Sequence, residues 1–422
     1  MFINDILKVL YAPHKAFKEI VKNPSYLGPL LILIVFVAAQ VGFYYVRASK
    51  IYSEQTMPTG LLADQWTENA TLWQASSGVV ITNNYLDFIN ATPAFAGGYD
   101  YYGNSSIQFV LNNGTNLQMA LADLDGSVNC GADGFKDLTM RVKIASPEAE
   151  PQNVTLYLYS LNDANYFSYD LTQLFSNSKT DVWNNITVPV GSGAWSASNA
   201  AAKWENITSL RMFFGWSAES NIQIRVDGLY FRGIYENAIK IYGDQALLFN
   251  YALNSVTPFI FEWLVMTGLM YLITKGLRGT VFWKPLMVSV GLAFVTFIVQ
   301  SLLLLATYST LSAINVPVEY FAGVPGEFDA ANQAILSALD QVSFVGGIVT
   351  IAVYIWTIGL GTFIIRAATG ASAATATGAV TPATGEVVVG MQPSQFGWLK
   401  CIVISAASFL LTILILGFVF GV

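Results

Sequence analysis

The chain has 422 residues, 54% of them hydrophobic and 11% charged, with a formal net charge of -7. Soluble domains carry about 25% charged residues, so part of this chain is suited to lipid. Lysine and arginine form no dense basic patch, which removes nucleic acid as a partner, and the lone histidine, His14, leaves no His-based metal site or Ser-His-Asp arrangement. Cys130 and Cys401 lie in regions of opposite character and do not form a disulfide framework.

Ile3, Ile6, Leu7 and Leu10 repeat at the spacing of one helix face; Pro13 interrupts them, and Phe17, Ile20 and Val21 resume the pattern. With Lys15, Lys18 and Lys22 alongside, residues 1–26 read as a cytoplasmic amphipathic segment. It either lies on a membrane surface or docks on its own protein. Residues 27–46 are uncharged and end in Phe43, Tyr44 and Tyr45, the pattern of a first transmembrane helix with an interfacial aromatic belt. The stretch lacks the short apolar core and small-residue cleavage site of a signal peptide.

Over residues 59–233 the pattern changes to short alternating runs bounded by Gly, Asn, Asp and Ser. Leu138, Met140, Val142 and Ile144 alternate with polar residues, as do Leu210, Met212 and Phe214, and then Ile222, Ile224 and Val226. Each run buries one face, so the block is expected to be an antiparallel β-sandwich of the jelly-roll kind. It holds all seven Asn-x-Ser/Thr sequons, at Asn69, Asn90, Asn104, Asn113, Asn153, Asn185 and Asn206. That clustering marks an extracellular, glycosylated segment.

Apolar helical stretches follow at 246–274, 282–310, 341–365 and 398–421, giving with the first span a five-span bundle. The 245–422 region carries a flexible cytoplasmic loop at 367–395, rich in Ala, Thr and Gly. Lys275, Arg278 and Lys284 mark one connection, Arg366 and Lys400 another, whereas 311–340 carries Glu319, Glu327, Asp329 and Asp340 and no Lys or Arg. The positive-inside bias places the N-terminus in the cytoplasm and the β-sandwich, the acidic loop and the C-terminus outside. Arg47 and Lys50 fall on the opposite side and are outweighed by the basic N-terminus. Within the spans, Glu262 and Gln300 are the candidate intramembrane polar residues, as partners in a helix-to-helix hydrogen bond or as the lining of a solute path.

The opening YAPHKAFKEIVKNPSYLGPLLILIV, the turn YLITKGLRGTVFWKPLMVSVG, Trp356 in IAVYIWTIGLG and the Lys400 approach to the last span resemble the Yip1 domain family. The resemblance covers residues 1–46 and 245–422 and implies a five-helix bundle. The chain departs from the family in its long insertion after the first span, where a short loop is usual. Eukaryotic members interact with Rab-type GTPases, but no feature here argues for such a partner.

The insertion resembles carbohydrate-binding, galactose-binding-like modules in VWNNITVPVGSGAW, AKWENITSLRMFFGW and IQIRVDGLYFRG. This implies a structural calcium held by Asp227 on the last strand with an acidic residue of the first, for which Asp87 in YLDFIN is the candidate; the alternative is that Asp227 opens a turn with Gly228. The run Asp123-Leu124-Asp125-Gly126 has its glycine too early for an EF-hand loop and reads as a surface turn. Flat rings cover the apolar face of a sugar, and of Trp66, Trp73, Trp183, Trp195, Trp204, Trp216 and the tyrosines of 99–102 and 157–169 most are expected in the core, with one or two exposed near a loop as sugar contacts.

Scattered carboxylates, with no phosphate-binding glycine loop, HExxH or CxxC, give no catalytic arrangement. The reading is a non-enzymatic multi-pass protein of the cell membrane, an envelope scaffold or recognition protein. Its partners are membrane lipid and a glycan or surface-layer protein, with a homo-oligomer left open. A small-solute transporter or channel is the competing class.

Overall fold

The computed structural model describes residues 2–59, 64–92, 100–176, 179–191, 193–376 and 396–420. The chain divides into two compact units: Met1–Ile51 with Asn237–Ala313 and Leu339–Val422, and Tyr52–Glu236 with Ile314–Ala338. In chain order the elements are α1 (Phe2–Tyr11), α2 (Pro13–Lys22), α3 (Leu27–Lys50), β1 (Ile51–Met57), β2 (Trp73–Ala75), β3 (Val80–Asn84), β4 (Ser106–Leu121), β5 (Asp137–Ser146), β6 (Asn153–Ser160), β7 (Asn162–Asp170), α4 (Thr172–Phe175), β8 (Asn184–Pro189), β9 (Ser196–Ala197) and β10 (Ile207–Asn237). There follow α5 (Ala238–Tyr242), α6 (Asp244–Gly276), α7 (Trp283–Ala293), α8 (Val295–Ser309), β11 (Ile314–Val316), α9 (Val318–Ala322), α10 (Glu327–Ala376) and α11 (Trp398–Phe420).

The β unit is one sheet folded into two layers by its long strands, β4 and β10. Residues Leu210 to Gly215 of β10 pair with β4 on one side and β6 on the other, whereas Gln223 to Arg232 pair with β5. Register shifts between Gly215 and Ile222 mark the change of layer. Layer one continues through β6, β7 and β9, with β2 on β4; layer two holds β3 on β4 and β8 on β5. Side chains alternate as a period of two demands. Leu117, Met119, Leu156, Leu158, Met212 and Phe214 point inward from layer one, Phe109, Met140, Val142, Ile224 and Val226 from layer two, and all belong to one buried core. The sandwich thus stands, and it is wider than 59–233: β1 joins it at Ile51, and β11 joins beyond β1.

That last strand belongs to the acidic segment 314–338, read from sequence as a loop between spans. The segment packs on the β unit because its acids answer the unit's arginines. Arg232 lies between Glu54 and Glu319, donating from Nε and Nη2 to Glu54 at 2.8 and 2.7 Å. Arg141 binds Glu327 through one nitrogen at 2.7 and 2.8 Å. Val318 and Ala322 close a small cluster with Ile89, Tyr102 and Tyr230.

Among the described residues, five helices are long and apolar enough to cross a membrane: Leu27–Lys50, Asp244–Gly276, Trp283–Ser309, Glu327–Gly370 and Trp398–Phe420. The third is two helices meeting at Phe294. Gly291 is required there by close packing, since a Cβ would come within 2.7 Å of Pro29 and Trp263. The N-terminal α2 resolves in favour of docking on its own protein: Ala16, Phe17, Ile20 and Val21 enter the helical core, and Lys15, Lys18 and Lys22 stay exposed. The flexible loop expected at 367–395 is helical through Ala376, and residues 377–395 lie outside the described ones.

Candidate functional site

Three carboxylates converge in the β unit. Oxygen atoms of Asp64, Glu68 and Asp227 lie within 4.8 Å of one another. Asp64 and Glu68 flank a single 3-10 turn, Gln65–Thr67, whose Trp66 is anchored in the sandwich core and so turns both acids the same way. Asp227 is brought there by a break in β10: the register shifts between Asp227 and Tyr230, and Gly228 has φ +57°. A side chain at Gly228 would be strained by that φ, and its Cβ would come within 2.6 Å of Tyr102.

Polar donors hold the acids in place. Asp227 accepts from the Ile89 and Gly228 amides at 2.6 and 2.7 Å. Glu68 accepts from Asn104 N, Ser105 N and Ser105 Oγ at 3.1–3.2 Å. Asp64 and Asp227 are fully buried, and among the described residues Asp64 Oδ1 has no hydrogen-bond donor. Burial pushes Asp227 up to about 7 against the pull of its amide donors, and burial together with the charge of Asp227 drives Asp64 well above the usual carboxylate range. Burial also raises Glu68. Clustered buried carboxylates with an orphaned oxygen suit a hard cation such as calcium, which takes oxygen ligands.

The acid expected beside Asp227 was Asp87, and the structure directs it elsewhere. Asp87 forms ion pairs with Arg225 and Lys143, the latter at 2.9 Å, and accepts from Trp183 Nε1 at 3.3 Å. Two cations on neighbouring strands outcompete a site that is already anionic. Asp64 and Glu68 were missed because they lie on a 3-10 turn with no alternation to reveal it. The signal was there in the i, i+4 acids bracketing a tryptophan. Asp123 to Gly126 is the surface turn expected, with Gly126 N donating to Asp123 Oδ1 at 3.3 Å.

A second feature lies on the outer face of layer one. Because Leu156, Leu158, Met212 and Phe214 point inward, Tyr157, Tyr159, Arg211 and Phe213 point outward, joined by Tyr166 of β7. Tyr157 and Tyr159 stack with centroids 6.4 Å apart, and Tyr166 packs on them at 5.6 and 5.7 Å. The Arg211 guanidinium lies over Tyr159 at 4.8 Å, with Nε buried and without a partner among the described residues. Among the candidate tryptophans, Trp66, Trp73, Trp195 and Trp216 are core, and Trp183 and Trp204 are half-buried. Tyr102 is buried, and Tyr99 lies outside the described residues.

Of the sequon asparagines, Asn69, Asn90, Asn104, Asn113, Asn153 and Asn185 are exposed and Asn206 is half-buried. In the helical unit the structure does not join Glu262 to Gln300. Gln300 donates to Thr350 Oγ1 at 3.0 Å, and Glu262 Oε1 is buried without a partner among the described residues.

No protein-family model matches the chain, so the five-helix resemblance gains no support from one. No curated protein matches it either. Among solved structures, the chain is similar to a family 11 carbohydrate-binding module from Clostridium thermocellum in complex with a β-1,3-1,4-mixed-linked tetrasaccharide. Identity is 10%, coverage 43% of this chain and 95% of that one, and the TM-score 0.27. It is also similar to a family 30 carbohydrate-binding module, at 8% identity, 36% and 90% coverage and a TM-score of 0.25. A third similar structure is a β-1,2-glucanase from Parabacteroides distasonis, at 14% identity, 38% and 22% coverage and a TM-score of 0.25.

Proposed function

We propose that this is a non-enzymatic integral membrane protein that displays its β unit outside the cell as a glycan-binding module, steadied by a calcium ion at Asp64, Glu68 and Asp227. The observation that carries the binding role is the Tyr157, Tyr159 and Tyr166 cluster with Arg211. Tyr157 and Tyr166, both half-buried, offer ring surface for the C–H face of a sugar, Tyr159 is buried behind them, and the half-buried Arg211 brings guanidinium donors to the same face for the sugar hydroxyls. The five apolar helices support the anchor, and the exposed sequons support an outward-facing, glycosylated unit.

The test displays the full chain on intact cells and measures binding of a panel of fluorescent soluble β-glucans, α-glucans and mannans. At least one class is expected to bind, and Tyr157→Ala or Arg211→Ala should weaken it at least about tenfold, the loss of about 1.4 kcal/mol. Tyr157 is only half-buried, so its removal spares the core. Equal binding by variants and wild type sinks the assignment of this face.

Solute passage is favoured by one observation, the unpartnered carboxyl oxygen of Glu262. Against it, Gln300 is bonded to Thr350 and Thr296 to Thr357, which tie α8 to α10 rather than line a path. Glu262→Gln is therefore expected to leave ion and small-solute flux into proteoliposomes unchanged; flux that the wild type supports and the variant loses would reverse the preference.

A further inference from the structure

We propose that a divalent cation at Asp64, Glu68 and Asp227 governs the docking of the 314–338 segment on the β unit, so that the first residue of α10, Glu327, is clasped when the cation is bound. This inference rests on the calcium reading above. Its basis is an unbroken series of contacts. The cluster holds the chain on either side of it, through Ile89 N on Asp227 and through Asn104 N and Ser105 N on Glu68. Tyr102, two residues before Asn104, lies against Gly228, the residue next to Asp227. Its hydroxyl meets Tyr230 Oη at 3.0 Å and accepts from Arg141 Nη2 at 3.1 Å. The same nitrogen donates to both carboxylate oxygens of Glu327.

Apolar contact runs the same way, since Ile89 and Tyr102, both tied to the cluster, pack with Val318 and Ala322 of the docked segment. With no cation, nothing bridges the three carboxylates, and the residues free to relax are those bonded to them, Ile89, Asn104 and Ser105. Tyr102 then no longer presets Arg141 for Glu327. With a cation bound, Ile89, Asn104 and Ser105 are held on Asp227 and Glu68, and the surface that receives Val318 and Ala322 is complete. A ligand that binds one of two arrangements more tightly shifts the population toward it, and docking of the segment differs between these two.

The experiment is hydrogen–deuterium exchange on the full chain in nanodiscs, with calcium and with a chelator, beside terbium luminescence as a separate measure of cation binding. Calcium is expected to slow exchange over 314–326 at least about tenfold while leaving β6 unchanged. Tyr102→Phe and Glu327→Gln should still bind terbium and should lose most of that slowing. Terbium binding with unchanged exchange over 314–326 overturns the coupling and leaves the calcium site standing. No terbium binding, with Asp227→Asn indistinguishable from wild type, overturns both.

Discussion

Chelating calcium from the 422-residue chain at pH 8 is expected to lower the melting temperature of the β unit by about 5–10 °C, followed by its β-sheet circular dichroism. A ligand present at a hundred times its dissociation constant stabilises the native state by about 2.7 kcal/mol, and each kcal/mol moves a domain of this size by about 2–4 °C. The chelated protein should also show a pH dependence of definite sign. Asp227, raised by burial to about 7, contributes stability that is complete below the unfolded carboxylate range and is lost as pH rises through about 7. Asp64, driven well above its ordinary value by burial and by Asp227, acts in the same direction. The metal-free unit should therefore melt higher at pH 5 than at pH 8, and calcium should remove the difference at pH 8. Asp227→Asn should abolish the chelator effect. A β unit whose melting ignores chelator, pH and substitution would remove the cation site.

The second large effect is expected at Arg232. Its side chain is only 14% exposed and that of Glu54 2% exposed, so deleting the arginine strands a buried carboxylate. Breaking a buried pair from one side costs about 3–5 kcal/mol. Among the described residues, Glu54 would keep two amide donors, Gly233 N at 3.0 Å and Val318 N at 2.9 Å. Arg232→Ala should lower melting by about 10 °C and expose the 314–338 segment to limited proteolysis. Pairing Arg232→Met with Glu54→Gln should recover much of the loss, because the fully buried carboxylate is then gone and the one left unpaired, Glu319, is 26% exposed and within reach of water. A single variant within about 1 kcal/mol of wild type would show that the ion pair does not hold the segment.

How far the sequence reached depended on periodicity. The apolar runs located the long helices and the alternation of Leu138 to Ile144 and Ile222 to Val226 located the strands, because burial on one face repeats along the chain. Sequence placed the start of the fourth long helix at 341 where it begins at Glu327, since Glu327, Asp329 and Asp340 interrupt the apolar run without breaking the helix. The membership of 314–338 in the β unit was illegible, resting on Arg141 and Arg232 meeting acids far along the chain. At the site, Asp227 was visible on its strand, whereas its true companions came from a 3-10 turn and the expected one, Asp87, was claimed by Arg225 and Lys143. The tyrosines of 157–169 were legible as a cluster, but Arg211 over Tyr159 required the register of β10 on β6.

The crossing of the chain between its two units has a consequence for synthesis. The β unit is built from Tyr52–Glu236 and completed only by Ile314–Ala338. On the ribosome, which delivers N-terminal residues first, Glu54 and Arg232 emerge well before Glu319 and the Val318 amide that join them. While α6, α7 and α8 are being translated, Tyr102 and Tyr230 have yet to receive Val318 and Ala322. The nascent chain must therefore commit its helices before its β unit can close, and a ribosome stalled ahead of Ile314 would present an open apolar surface to chaperones.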